Sequence, residues 1–291
     1  MKNLKSRPIK TLSILAMLAC SGQAFAMMQH GVSQMVAPVA AAVLLTQKRF
    51  LCGNQASDPV WIKANHQVEL FRKKHNIPKV DSVCLDAIST AIDQELWKKL
   101  ADDNDQDSVD LMRPIVEPLV EKHGLDVSKI SIIVPKNPIS HSIASAGGNA
   151  LIFKKNFLNW TPAWQKAAIE HELGHVVCYD SAYKVLGLAS LSSDAGREYT
   201  LLIERRADTH SALQSLQNSK SLIDIHSNNG SGWADILKKH ELLVCLRDET
   251  LDKFTKAKKI KYLLEKPTYL EELLDYMAKK ENEKVSPIIH L

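Results

Sequence analysis

Aromatic residues are scarce in this chain, at 6% of 291 positions, and there is no internal repeat and no low-complexity tract. With 45% hydrophobic and 24% charged residues, nothing in the composition points to a collagen-like, coiled-coil or wholly disordered chain. Only five cysteines occur, and none are spaced Cys-x-x-Cys, which argues against a zinc ribbon. No uninterrupted apolar run reaches the roughly 20 residues that a membrane-spanning helix needs. A charge excess is also missing. The formal value of +4 rests on Lys2, Lys5, Arg7 and Lys10, in a 26-residue stretch without a single acid; without them 33 basic residues face 33 acidic ones. Such a balance offers no electrostatic footprint for nucleic acid.

That N-terminal stretch reads as a targeting segment. Residues 2–10 are basic, residues 11–19 are a short apolar run, and Ala24-Phe25-Ala26 matches a small-x-small cleavage site. A signal peptide over 1–26 is expected, with a membrane anchor or lipidation at Cys20 as the alternatives. Export places the protein in the periplasm or outside the cell, where Cys52, Cys84, Cys178 and Cys245 are permitted to form disulfides. Residues 27–57 contain the mostly apolar stretch Gly31 to Leu45, broken by Pro38, and are expected to be an N-terminal arm or propeptide.

From residue 58 the pattern is mainly helical. Asp58-Pro59 is a cap followed by proline at the first helical position, and predicts a helix to about His75. Apolar residues at helical spacing predict a second over 81–101 and a third over 108–123, joined by a solvated acidic stretch from Asp102 to Asp107. Ile130 to Val134 predicts a strand. Ile139 to Ala146 and Ala150 to Phe153 predict two more about a tight turn at Gly147-Gly148-Asn149. Thr161-Pro162 restarts helix. Further helices are expected over about 194–216, over 233–265 and from Thr268 to about Lys280, with a polar linker from Asn218 to Trp233.

The chemistry is concentrated in His171-Glu172-Leu173-Gly174-His175. Four residues of helix turn through about 400°, so both imidazoles leave the same face and can hold one ion. Glu172 lies about 100° away, placed to act on a water at the metal without becoming a ligand. A catalytic zinc site takes a third protein ligand and leaves a fourth position open. The helix that follows offers Glu204 and, one turn later, Asp208. Glu204 is the expected third ligand, beside His171 and His175. Asp208 is the expected orienter, accepting a hydrogen bond from the far nitrogen of a ligand histidine. One Zn²⁺ per chain is the expected cofactor.

His-Glu-Leu-Gly-His followed by a helix with Glu-x-x-Ala-Asp (Glu204, Ala207, Asp208) resembles the gluzincin metallopeptidases of the CAAX-prenyl endopeptidase (HtpX-like) family, in its soluble exported branch. Ile139 to Leu158 is similar to that family's paired strands, although His141-Ser142 stands where the family commonly has Asn-Ala. Lys266 and Glu272 stand where the family has a His before, and an Arg after, the proline at 267. The resemblance implies an α+β, mainly helical, zincin-like metallopeptidase domain over 58–291, with a small sheet beside the active-site helix. It also implies a zinc endopeptidase that cuts cell-envelope polypeptides, with Glu172 as catalytic base. The strand Asn149 to Phe153 is the expected edge for an extended substrate. No spanning helix is expected in the mature chain.

Two other readings compete: a zinc-stabilised polypeptide-binding or chaperone module, and a latent peptidase blocked by the 27–57 arm or by a Cys178 thiolate. A buried Cys178, or one in a disulfide with Cys245, is the simpler expectation. Tyr199, His210 and His240 are the candidates for a group that steadies the oxyanion. Gly174 costs a helix about 1 kcal/mol relative to alanine, so close approach of a strand or substrate is expected there.

Overall fold

The computed structural model describes residues 56–137, 144–188, 191–228 and 233–285. The signal segment, the arm up to residue 55, Cys20, Cys52 and the His141-Ser142 pair lie outside them.

The described chain is mostly helical with one three-stranded sheet, an α+β architecture. Helix α1 (Pro59–Lys74) is started by Asp58, whose carboxylate accepts from the Val60 amide at 2.9 Å. The same carboxylate receives Tyr276 Oη and Lys280 Nζ at 3.0 and 2.8 Å, so one cap also ties the first helix to the last. Helices α2 (Ser82–Leu100) and α3 (Gln106–Lys122) follow. The acidic connection between them is not merely solvated. Asn104 Oδ1 accepts from the Val134 amide at 2.8 Å, and Asp103 takes the backbone and side-chain amides of Asn137 at 3.0 and 2.7 Å. Local polarity suggested a solvated loop, but these acceptors latch the segment to the end of the first strand.

Strand β1 (Ser131–Ile133) pairs in parallel with β3 (Ala150–Phe153), and β3 pairs antiparallel with β2 (Ala144–Gly147). The order β1-β3-β2 makes β3 the central strand. The expectation of a substrate edge on Asn149 to Phe153 is thereby corrected: both sides of β3 are taken, and among the described residues the unpaired edge of the hairpin belongs to β2. Alternation along the strands divides the core. Ile132, Leu151 and Phe153 pack with Val109, Met112, Val116 and Val120 of α3, whereas Ile133 and Ile152 face Leu100 of α2.

The β2–β3 turn requires glycine at Gly148, where φ is +64° and a Cβ would lie 2.5 Å from both the Asp93 carboxylate and the Ser89 carbonyl. Asp93, on α2, accepts the Asn149 amide at 2.9 Å. Burial pushes its carboxyl up to about 6 from 3.8, against the hydrogen bonds from Asn149 and Ala150. The folded chain thus retains a proton that the unfolded chain releases. Stability from this group is complete below pH 3.8 and is lost as the pH rises past about 6. Asp93→Asn is expected to flatten the stability profile between about pH 4 and 6, measured by urea denaturation across that range.

Helix α4 (Pro162–Val177) is capped by Thr161, which accepts from the Trp164 amide at 3.3 Å. It is buried on every side from Ile169 to Val177. It ends at Cys178, and Tyr179 turns the chain with a φ of +54°, its hydroxyl held by Asp86 of α2 at 2.9 Å. Helix α5 (Asp180–Leu188) starts there, and α6 (Ser193–Ala212) is capped by Ser192. The expected linker from Asn218 is instead helix α7 (Leu216–Asn228). Its polar residues are buried because they bond to the end of α6: Asn218 Nδ2 donates to the Ser211 carbonyl at 3.2 Å, and Ser219 Oγ to that of Ala212 at 3.1 Å. The expected 233–265 helix is two, α8 (Trp233–Arg247) and α9 (Lys253–Glu265), because Asp252 caps a new start by accepting from Phe254 and Thr255. Helix α10 (Tyr269–Val285) closes the described chain. No helix among the described residues is long and apolar enough to cross a membrane.

Candidate metal centre

The site is assembled from three successive helices. His171, Glu172 and His175 come from α4, Asp180 from α5, and Glu204 and Asp208 from α6. Helices α4 and α6 meet at Gly174, where an added Cβ would lie 3.1 Å from both Ala207 Cα and His210 Cβ. The glycine admits a helix rather than the expected strand or substrate. Gly174→Val is expected to lower stability by about 1–3 kcal/mol, checked by chemical denaturation, because buried backbone must retreat to admit the side chain.

That close approach brings the expected ligands together. His171 Nε2 and His175 Nε2 are 3.2 Å apart, and Glu204 Oε2 is 3.2 Å from the first and 3.5 Å from the second. The other ring nitrogens are held from behind. His171 Nδ1 is 2.7 Å from Asp208 Oδ1, and His175 Nδ1 is 2.9 Å from Asp180 Oδ2. Each Nδ1–H donates to a carboxylate, which fixes the tautomer and leaves the Nε2 lone pairs converging beside Glu204.

No family model, curated protein or solved structure matches this chain. The geometry of the site therefore carries the functional argument.

Around a tetrahedral ion with bonds of about 2.0–2.1 Å, ligand atoms are separated by about 3.3 Å. The three measured separations, 3.2, 3.2 and 3.5 Å, describe one face of such a tetrahedron. The charges agree. Burial opposes ionisation of both rings, yet Asp208 and Glu204 hold His171 well above its ordinary value, while Glu204 and Asp180 hold His175 at about 9. Burial likewise opposes the Glu204 carboxylate, but the two imidazoles hold it far below its usual range. The pocket demands positive charge, which protons on the imidazoles or a bound dication can supply. Glu172 is buried next to this triangle, and burial raises its carboxyl.

Supporting residues reach far into the fold. Arg206 and Arg72 both face Asp180 Oδ1, Arg72 at 3.6 Å. Arg206 also donates to Asn65 of α1 at 2.8 Å. Tyr269, the first residue of α10, donates to Asp208 Oδ2, and His226 Nε2 of α7 lies 3.4 Å from Asp208 Oδ1. Asp180, Tyr269 and His226 were not singled out as site residues. The one available signal was the short His175-x4-Asp180 spacing. Nothing local announces the other two.

His171, Glu172 and His175 bring three possible ligand atoms within 4.8 Å of one another, and a second buried group, His123, Glu170 and His210, does the same. Its carboxylate is already engaged by His123 Nε2 and by Lys122 Nζ at 2.8 Å. These contacts hold it below the usual range despite burial. His210 Nδ1 donates to the Glu170 carbonyl at 2.9 Å, and burial followed by the neighbouring His123 pushes its ring down to about 4. Both groups have the donors for a metal ion; in the second the carboxylate is shared with Lys122.

Tyr199 is buried in the core around Phe71 and accepts two bonds from Arg72, His210 belongs to the second group, and His240 lies on α8. Cys84, Cys178 and Cys245 are free thiols, so the suggested Cys178–Cys245 disulfide is absent. Burial pushes the Cys178 thiol up to about 11, so without a metal ion beside it the thiol keeps its proton at neutral pH.

Proposed function

We propose that this chain is a zinc-dependent endopeptidase of the gluzincin type, similar to the CAAX-prenyl endopeptidase (HtpX-like) family, acting on polypeptides of the cell envelope after export. The observation that carries this reading is the triangle of His171 Nε2, His175 Nε2 and Glu204 Oε2, with separations of 3.2–3.5 Å. His171, His175 and Glu204 would hold the zinc, leaving one position open. The ion, when bound, supplies Lewis acidity that makes water nucleophilic near neutral pH and polarises a carbonyl.

The remaining work belongs to the chain itself. Glu172 takes a proton from the attacking water on its carboxylate and passes it to the departing amine. Asp208 and Asp180 keep each imidazole in the tautomer that turns Nε2 toward the centre. Burial of His171, Glu172 and His175 excludes bulk water and strengthens these interactions. The substrate adds to the free edge of β2, which packs beside α4. Main-chain pairing there binds extended polypeptide with little regard to sequence. A binding or chaperone module has no need of Glu172, whose position beside the ligand triangle favours hydrolysis.

The test uses the full chain. Metal analysis is expected to find about one zinc per molecule. Casein cleavage is expected to stop on chelation and to return when zinc is restored. Cleavage that continues after complete zinc removal rejects the reading.

A further inference from the structure

Six of the eleven most exposed large apolar side chains among the described residues fall on the α8–α9 hairpin: Leu243, Val244, Leu246, Phe254, Tyr262 and Leu264. On α9, Leu263 is buried and Ile260 half-buried, one turn apart on the inward face. Phe254, Lys258 and Lys261, at i, i+4 and i+7, project from the opposite face. Phe254 is 81% exposed. On α8, Ala234, Leu237 and Cys245 turn inward, while Leu243 and Leu246 turn outward with Lys239. Helix α9 carries five lysines and one glutamate. Lys261 lies 3.8 Å from Glu265 in an exposed pair, and Lys253 and Lys258 make no ion pair among the described residues. In the connecting turn Asp248 accepts the Thr250 amide at 3.1 Å and also attracts Lys256 and Lys259, while Asp252 caps α9.

We propose that the α8–α9 hairpin is a docking surface for a membrane bearing anionic lipid. Exposed aromatic and aliphatic side chains interleaved with lysine are the chemistry of an interfacial helix, whose apolar groups enter the headgroup boundary while ammonium groups meet lipid phosphates. The hairpin lies on the surface and spans nothing. Two other occupants fit less well. The apolar stretch from Gly31 to Leu45 contains no acidic residue, so it offers the lysines no counter-charge. A second copy on a two-fold axis places the same lysine-rich helix against itself. This surface is independent of the hydrolytic reading, and its test does not depend on cleavage.

The experiment is sedimentation of the full chain with vesicles of phosphatidylcholine alone or mixed with phosphatidylglycerol. The chain is expected to pellet with the mixed vesicles, to stay in solution with the neutral ones, and to be released by high salt. Lys258→Gln with Lys261→Gln is expected to weaken binding about thirtyfold. Phe254→Ala is expected to weaken it about fivefold. These residues are exposed, so circular dichroism and melting temperature are expected to stay unchanged. Equal binding to both vesicles, binding to neither, or full binding by the variants overturns the proposal. The last result transfers the attachment to another part of the chain.

Discussion

Glutamine in place of Glu172 is expected to leave zinc bound and to lower peptide cleavage by about a thousandfold. The two effects are expected to separate because Glu172 is not one of the three proposed ligands. His171, His175 and Glu204 already converge at 3.2–3.5 Å without it. Glutamine has nearly the same shape and can still hold a water by hydrogen bonding. What it lacks is a lone pair basic enough to accept a proton during attack. A positioned general base contributes roughly 10²–10⁴-fold, so the loss falls on turnover rather than on metal content. Metal analysis and casein hydrolysis on one preparation provide the measurement. Retained zinc with unchanged cleavage rules out the proton-transfer role of this side chain.

Glu204→Ala is expected to act on the metal itself. Loss of an orienting carboxylate behind a ligand costs roughly 10–100-fold in affinity, and loss of a ligand costs more. Zinc affinity is therefore expected to fall by more than about a hundredfold. Stability provides a readout independent of activity. A ligand at a thousand times its dissociation constant stabilises the folded state by about 4 kcal/mol. Wild-type protein should melt at a higher temperature with zinc than with chelator, and the variant should lose most of that difference. An unchanged zinc-dependent shift in the variant excludes Glu204 from the site. Together the two substitutions distinguish a group that holds the ion from one that moves a proton beside it.

These outcomes depend on features legible to different degrees in the sequence. The His171–His175 pair was legible because a helix alone sets it: four residues restore nearly the same azimuth whatever lies around them. The same holds for Glu204 and Asp208, and for the caps at Asp58 and Thr161, each bonding within a turn of its own helix. Helix α7 was misread because its buried Asn218 and Ser219 look like linker residues until the carbonyls of α6 are placed above them. The break at Asp252 divides the expected 233–265 helix where the polar run Arg247 to Thr250 interrupts the apolar residues and Asp252 caps a new start.

Local residue order fixes the content of each face: which side chains leave a helix together, and where helices begin. Tertiary structure decided how those faces meet. The left-handed turn at Tyr179, held by Asp86, carries Asp180 back to His175. The contact at Gly174 lets α6 approach closely enough for Glu204 to reach both imidazoles. Pairing on both sides of β3 leaves the free hairpin edge to β2. Periodicity is a property of one element, whereas a crossing or a strand order depends on packing between residues far apart in the chain.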